Sequence, residues 1–122
     1  MALSNCNAMG ARLLLGLALM ITSYMLLIPQ PPQLVPEFEQ SDKLLHLLDF
    51  LVLAALADLG WPRRGFDSVK YVPLALYGAA TELLQHFVPG RSTSGWDLLA
   101  DLTGIALYAL LLMPLLRRWE LR

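Results

Sequence analysis

Four long apolar runs constrain this chain more than any other feature. They are Leu13 to Ile28, Leu44 to Gly60, Val72 to Val88 and Leu98 to Leu116. Each approaches the ~17 to 25 residues that carry a helix across a bilayer. A backbone in hydrocarbon must satisfy its own hydrogen bonds, so runs of this length can span only as helices. Composition agrees: 57% of residues are hydrophobic, 16% are charged, and the mean hydropathy is +0.54. A soluble domain carries about 25% charged residues and shorter apolar runs. In a buried soluble bundle the charges would be spread at amphipathic spacing, whereas here they gather at the ends of the runs. The expected fold is all-α: a four-helix transmembrane bundle with helices near 12–29, 43–60, 70–88 and 97–116, forming one domain over 1–122.

The first run follows Arg12, as a signal segment would, but it is long and ends in IPQPPQ instead of a small-residue cleavage site. A retained helix is expected. The prolines of QPPQLVPEF favour extended structure, which makes this segment a loop. Ser41 or Asp42 is positioned to cap the second helix, and Ser94 or Asp97 the fourth. Pro89-Gly90 is a breaker pair at the end of the third. Short connections make neighbouring helices antiparallel. The single cysteine, Cys6, has no disulfide or metal partner in the chain.

Basic residues set the orientation. With four spans, Arg12, Arg63, Arg64, Lys70, Arg117, Arg118 and Arg122 share one side, and Lys43 and Arg91 the other. The positive-inside rule then places both termini in the cytoplasm. The acids lean the opposite way. Glu37, Glu39, Asp42, Asp49, Glu82, Asp97 and Asp101 fall outside or in the outer half of a span, against Asp58, Asp67 and Glu120 inside. Acids contribute little to orientation, so this asymmetry needs its own cause.

Helical spacing groups these residues. Asp42, His46 and Asp49 share one face, Glu82, Gln85 and His86 another, and Asp97, Asp101, Gly104 and Tyr108 a third. Glu82 lies about 10 Å below the outer end of its helix, and His46 and Asp101 about 5 Å below theirs, at 1.5 Å per residue. A buried ionisable group costs about 2.5 to 3.5 kcal/mol on insertion scales, so such groups face one another or a wet cavity. A shared, outward-opening pocket is the economical arrangement, with Arg91 as the cation best suited to grip a carboxylate. Plainer roles stand beside this one. Asp42 and Asp97 also suit N-caps, His46 also suits packing, and Gln85 suits either a partner of Glu82 or a pocket-lining amide. Asp58 reads as a helix-end residue. Trp61, Trp96 and Trp119 read as interface anchors, and Gly16, Gly78 and Gly104 as sites of close helix approach.

Tests for specific chemistry are negative. The chain has no HExxH, CxxC or GxSxG motif. His46, Glu82, His86 and Asp101 are suitable ligand types without a metal-binding spacing, so no metal or cofactor is expected. A net charge of −1 gives no reason to expect a nucleic-acid partner.

DKLLH at Asp42 to His46, ELLQ at Glu82 to Gln85, PGR at Pro89 to Arg91 and DLLADLTG at Asp97 to Gly104 together resemble the VanZ-like family of small membrane proteins. The order and spacing fit from about residue 10 to residue 116. The resemblance implies a multi-pass protein of the bacterial cytoplasmic membrane. Its founding member is linked to resistance to the glycopeptide teicoplanin by an unestablished mechanism. The family's characteristic polar positions match Asp42, Lys43, His46, Glu82, Gln85, Arg91 and Asp97. Asp101 stands where the family commonly has Asn, and Asp49 where a small or apolar residue is usual.

The functional expectation is a pocket of Asp42, Lys43, His46, Glu82, Gln85, Arg91, Asp97 and Asp101 that recognises a membrane lipid or the headgroup of an envelope precursor. Lys43 and Arg91 would meet an anionic group, and the remaining residues would orient the site. A glycopeptide-related ligand is the variant of this reading that the family suggests. The alternatives are an enzyme acting on an envelope lipid, with His46 or Glu82 as general acid or base, and an assembly factor whose polar cluster only joins helices.

Overall fold

The computed structural model describes residues 5–29, 41–90 and 95–121, and over these the chain is helical with no strand. The helices are α1 (Asn5–Leu27), α2 (Ser41–Gly60), α3 (Ser68–Gln85), α4 (Gly95–Leu107) and α5 (Met113–Arg118). A single π turn, Tyr108–Leu112, joins α4 to α5 in one continuous rod. Its cause is Pro114, which lacks an N–H and would press its ring against the Leu110 carbonyl in an unbroken α ladder. The Met113 N–H reaches back five residues to the Tyr108 carbonyl, which widens the turn just before the proline.

Boundaries depart from expectation by a few residues. α1 begins at Asn5, before Arg12, because Asn5 to Ala11 continues the helical ladder. α3 stops at Gln85 instead of running to the proline at 89. The His86 and Phe87 amides donate to the Leu83 and Leu84 carbonyls, three residues back, and this tightened turn ends the helix early. Gly90, at φ +78°, then takes the left-handed conformation that the turn requires. Asp67 caps the other end of α3, its side chain accepting from the Val69 amide at 3.2 Å. The Arg64 guanidinium, bonded to the same carboxylate, holds Asp67 below the usual carboxylate range.

The helices alternate in direction. At one end the start of α2 meets the start of α4 through His46 and Asp101, and the ends of α1 and α3 meet through Leu26 and Gln85. At the other end Arg12 of α1 reaches Gly60 of α2, and Lys70 of α3 reaches Asp58 of α2. α2 is central, touching α1, α3 and α4, and its contact with α4 is the most extensive in the fold. Gly104 permits that contact, because a Cβ there would collide with the Leu47 carbonyl. Gly78 likewise faces Phe50 and Asp101, at 3.2 and 3.1 Å from where its Cβ would stand. Gly16 does not share this role: nothing lies within 4 Å of its Cβ position.

The core is small, built on Phe50, Leu53, Ala54, Ala57, Leu74, Ile105 and Tyr108. Polar side chains are buried beside it, among them Thr22, Asp58, Lys70, Thr81, Gln85, Asp97 and Asp101. The outside is apolar. Leu13, Met20 and Tyr24 of α1 and Leu110 of the π turn are each more than 60% exposed. Full burial of one such side chain is worth about 1.5 to 3 kcal/mol, and water-soluble folds seldom leave broad apolar faces uncovered. Two of the helical rods, Asn7–Leu27 and Gly95–Arg118, are long and apolar enough to cross a membrane. α2 and α3 are interrupted by charge: Asp42, Lys43, Asp49 and Asp58 in the first, Lys70 and Glu82 in the second.

Candidate functional site

The polar residues form two clusters, one near each end of the bundle. In the first, α2 contributes Lys43, His46 and Asp49, and α4 contributes Asp97 and Asp101. His46 Nδ1 and Asp101 Oδ1 are 2.7 Å apart, and both side chains are nearly enclosed. An ionised Asp101 fixes the proton on Nδ1 and leaves Nε2 as the second functional nitrogen of the ring. Lys43 Nζ lies 3.6 Å from Asp97 Oδ1, and its side chain is 34% exposed, so this cation reaches the surface. Glu82 and Asp97 both stand within electrostatic reach of the imidazole.

The expected stripe of α4 is real. Asp97, Asp101, Gly104 and Tyr108 are all buried. Gly78 supplies the space for Asp101, whose Oδ2 lies against it and has no hydrogen-bond partner among the described residues. Asp97 Oδ1 also lacks a hydrogen bond there, its contact with Lys43 being a longer ion pair. A buried carboxylate oxygen left in this state costs about 1 to 3 kcal/mol or more. Carboxylates also outnumber permanent cations among the described residues of this cluster, with Asp49, Glu82, Asp97 and Asp101 set against Lys43 and the titratable His46.

Other expected members are placed differently. Gln85 is buried, but its amide Nε2 donates to the Leu26 carbonyl at 2.8 Å and ties α3 to the end of α1. Asp49 accepts from Thr22 Oγ1 at 2.9 Å on both oxygens, so it joins α2 to α1. His86 is exposed and packs edge-on against Phe87. Arg91 lies outside the described residues, as does the side chain of Asp42. The contribution of Thr22 is absent from the sequence reading. Its signal is the Thr22-Ser23 pair in the middle of an otherwise apolar run.

The second cluster contains the fold's most buried charge. Asp58, read from the sequence as a helix-end residue, is fully enclosed. It pairs with Lys70 Nζ at 2.7 Å and accepts a hydrogen bond from the Tyr108 hydroxyl. Lys70 also donates to the carbonyls of Asp58, Trp61 and Arg64 at 3.1, 2.9 and 2.6 Å. These carbonyls lie at the end of α2 and in its loop, where a cation at a helix C-terminus complements the dipole. Arg12 reinforces the same point, its Nε donating to the Gly60 carbonyl at 2.7 Å while its guanidinium lies 5.0 Å over the Trp61 ring. This cluster is saturated and enclosed, so it binds helices to one another.

Among the described residues no three histidine, cysteine or carboxylate side chains converge as a metal ion would need. A comparison of the chain with protein-family models, with curated proteins and with solved structures finds no match.

Proposed function

We propose that this chain is a four-span bundle of a bacterial cytoplasmic membrane, similar to the VanZ-like proteins, with both termini cytoplasmic. The cluster around His46 would recognise the headgroup of an envelope lipid or precursor at the outer face. The observation that carries the proposal is the contrast between the two polar clusters. The one around Lys70 is closed and satisfied. The one around His46 keeps a half-buried cation, Lys43, beside Asp97 and Asp101, each with a buried carboxylate oxygen that has no hydrogen-bond partner among the described residues. An anionic group of a ligand suits Lys43, and the sequence offers Arg91 as a second cation. Hydrogen-bond donors of the same headgroup suit Asp97 and Asp101. The apolar exterior supports a bilayer setting, because the side chains that water would penalise are the ones that lipid accepts.

The His46–Asp101 pair supports a second reading. A carboxylate that orients an imidazole through Nδ1 leaves Nε2 able to take a proton from a substrate, which suits an enzyme acting on the same lipid.

The test is lipid mass spectrometry on protein purified in a mild detergent. The unmutated chain should carry a lipid species that Lys43→Gln and Arg91→Ala lose by about tenfold or more, the effect of removing a charge-assisted contact. Identical lipid profiles in all three would sink the recognition reading and leave the cluster as a helix joint. Conversion of an added membrane-lipid extract, abolished by His46→Ala, would favour the enzyme.

A further inference from the structure

A groove of about 480 Å³ runs between α1 and α3 at the Lys70 end, away from the cluster around His46. Its walls are apolar: Leu15 and Leu19 on α1, Leu74 and Pro73 on α3, with the short side chain of Ala57 as floor. The volume falls in the ordinary range for ligand pockets, about 300 to 1,000 Å³. At one end stands Tyr77, whose hydroxyl meets Ser23 Oγ at 2.5 Å. The other reaches the turn after α2, where Trp61 and Arg64 line it and exposed Arg63 stands next in sequence. From Lys70 to Tyr77 the groove is about 10 Å long at 1.5 Å per residue.

We propose that this groove seats the head-proximal part of one acyl chain of an anionic phospholipid, with its phosphate at the Arg63-Arg64 turn. Charge complementarity selects the headgroup. Arg12, Arg63, Arg64, Arg117 and Arg118 gather at this end of the bundle, against Asp67 and Glu120 outside the enclosed Asp58. Lys70 is occupied by Asp58 and three carbonyls, so it is part of the groove floor and does not serve the phosphate. Arg63 and Arg64 are both exposed at the groove mouth, and Arg64 is bonded to Asp67. Trp61, 44% exposed at the mouth, stands at the level of a headgroup and suits the interface. The proposal rests on the bilayer setting put forward above and is independent of the outer site.

Trp61 also supplies the probe. In a Trp96→Phe/Trp119→Phe chain, in nanodiscs of phosphatidylcholine, its emission is followed as acyl-brominated phosphatidylglycerol or phosphatidylcholine is added. Half-quenching should need about fivefold less of the anionic lipid, the preference that one basic residue at a membrane surface confers. Arg63→Gln/Arg64→Gln should abolish that preference, and Leu15→Phe, which narrows the groove, should weaken quenching by the anionic lipid. Equal quenching by both lipids would overturn the proposal, as would a preference that survives both variants. If no tryptophan were quenched, including Trp96 in a Trp61→Phe chain, the bilayer setting would fail and the groove site with it.

Discussion

Single residues in this fold take their meaning from what lies opposite them. Asp58 and Asp101 are both carboxylates on helices, each almost without solvent exposure. Asp58 has Lys70 and Tyr108 against it, whereas Asp101 has a histidine on one oxygen and a glycine on the other. The first is therefore a structural lock and the second a candidate for binding. Removing one partner of a buried ion pair leaves an uncompensated charge and costs about 3 to 5 kcal/mol. Lys70→Met should show a loss of that size in reversible unfolding in mixed detergent micelles. Asp58→Leu/Lys70→Met should lose much less, because no charge is stranded. A Lys70→Met chain as stable as the unmutated one would show that the pair contributes nothing. From the sequence Lys70 counts only among the basic residues that set the orientation, since its spacing in VKYVPLALY gives no sign that its face is covered. Burial depends on the neighbouring helix.

At the scale of helices, small residues decide which pairs approach. Gly78 and Gly104 hold α3 and α2 against α4, while Gly16 looks the same in sequence and touches nothing. Gly104→Ala should therefore destabilise the bundle by about 1 to 3 kcal/mol, the usual cost of overpacking, since the Leu47 carbonyl belongs to a helix backbone and cannot move aside cheaply. Gly16→Ala should cost nothing and should gain from its better helix propensity. Thermal melts of the two variants in one detergent check the pair, and equal losses would contradict the packing described. The polar stripe of α4 is legible from spacing alone, because a rigid helix carries Asp97, Asp101, Gly104 and Tyr108 on one face wherever it packs. The partners of that stripe are not legible. Helical spacing groups Gln85 with Glu82, yet the Gln85 amide turns to α1.

For the whole molecule, the distribution of polarity is the informative property. Several charged and hydroxyl side chains are buried beside a small apolar core, many large apolar ones are exposed, and arginines collect at the end where α1 begins. The proposed topology follows from that collection and is open to a direct check. Cys6 should resist an impermeant maleimide added to intact cells and react once the cells are lysed. Labelling in intact cells would reverse the orientation and move the His46 cluster to the cytoplasmic face.

By itself the sequence determined that the chain is helical, roughly where each helix lies, and which residues share a face. These properties depend on hydrophobic run length, proline and glycine breaks, and the fixed 3.6-residue period, all of which are local. Tertiary structure decided the pairing. It set His46 on Asp101, drew Gln85 to Leu26 and Asp49 to Thr22, and enclosed Lys70 with Asp58. A helix can turn about its axis and slide along a neighbour without any change in its own pattern. The contacts between helices fix those two motions, and with them which polar groups find partners.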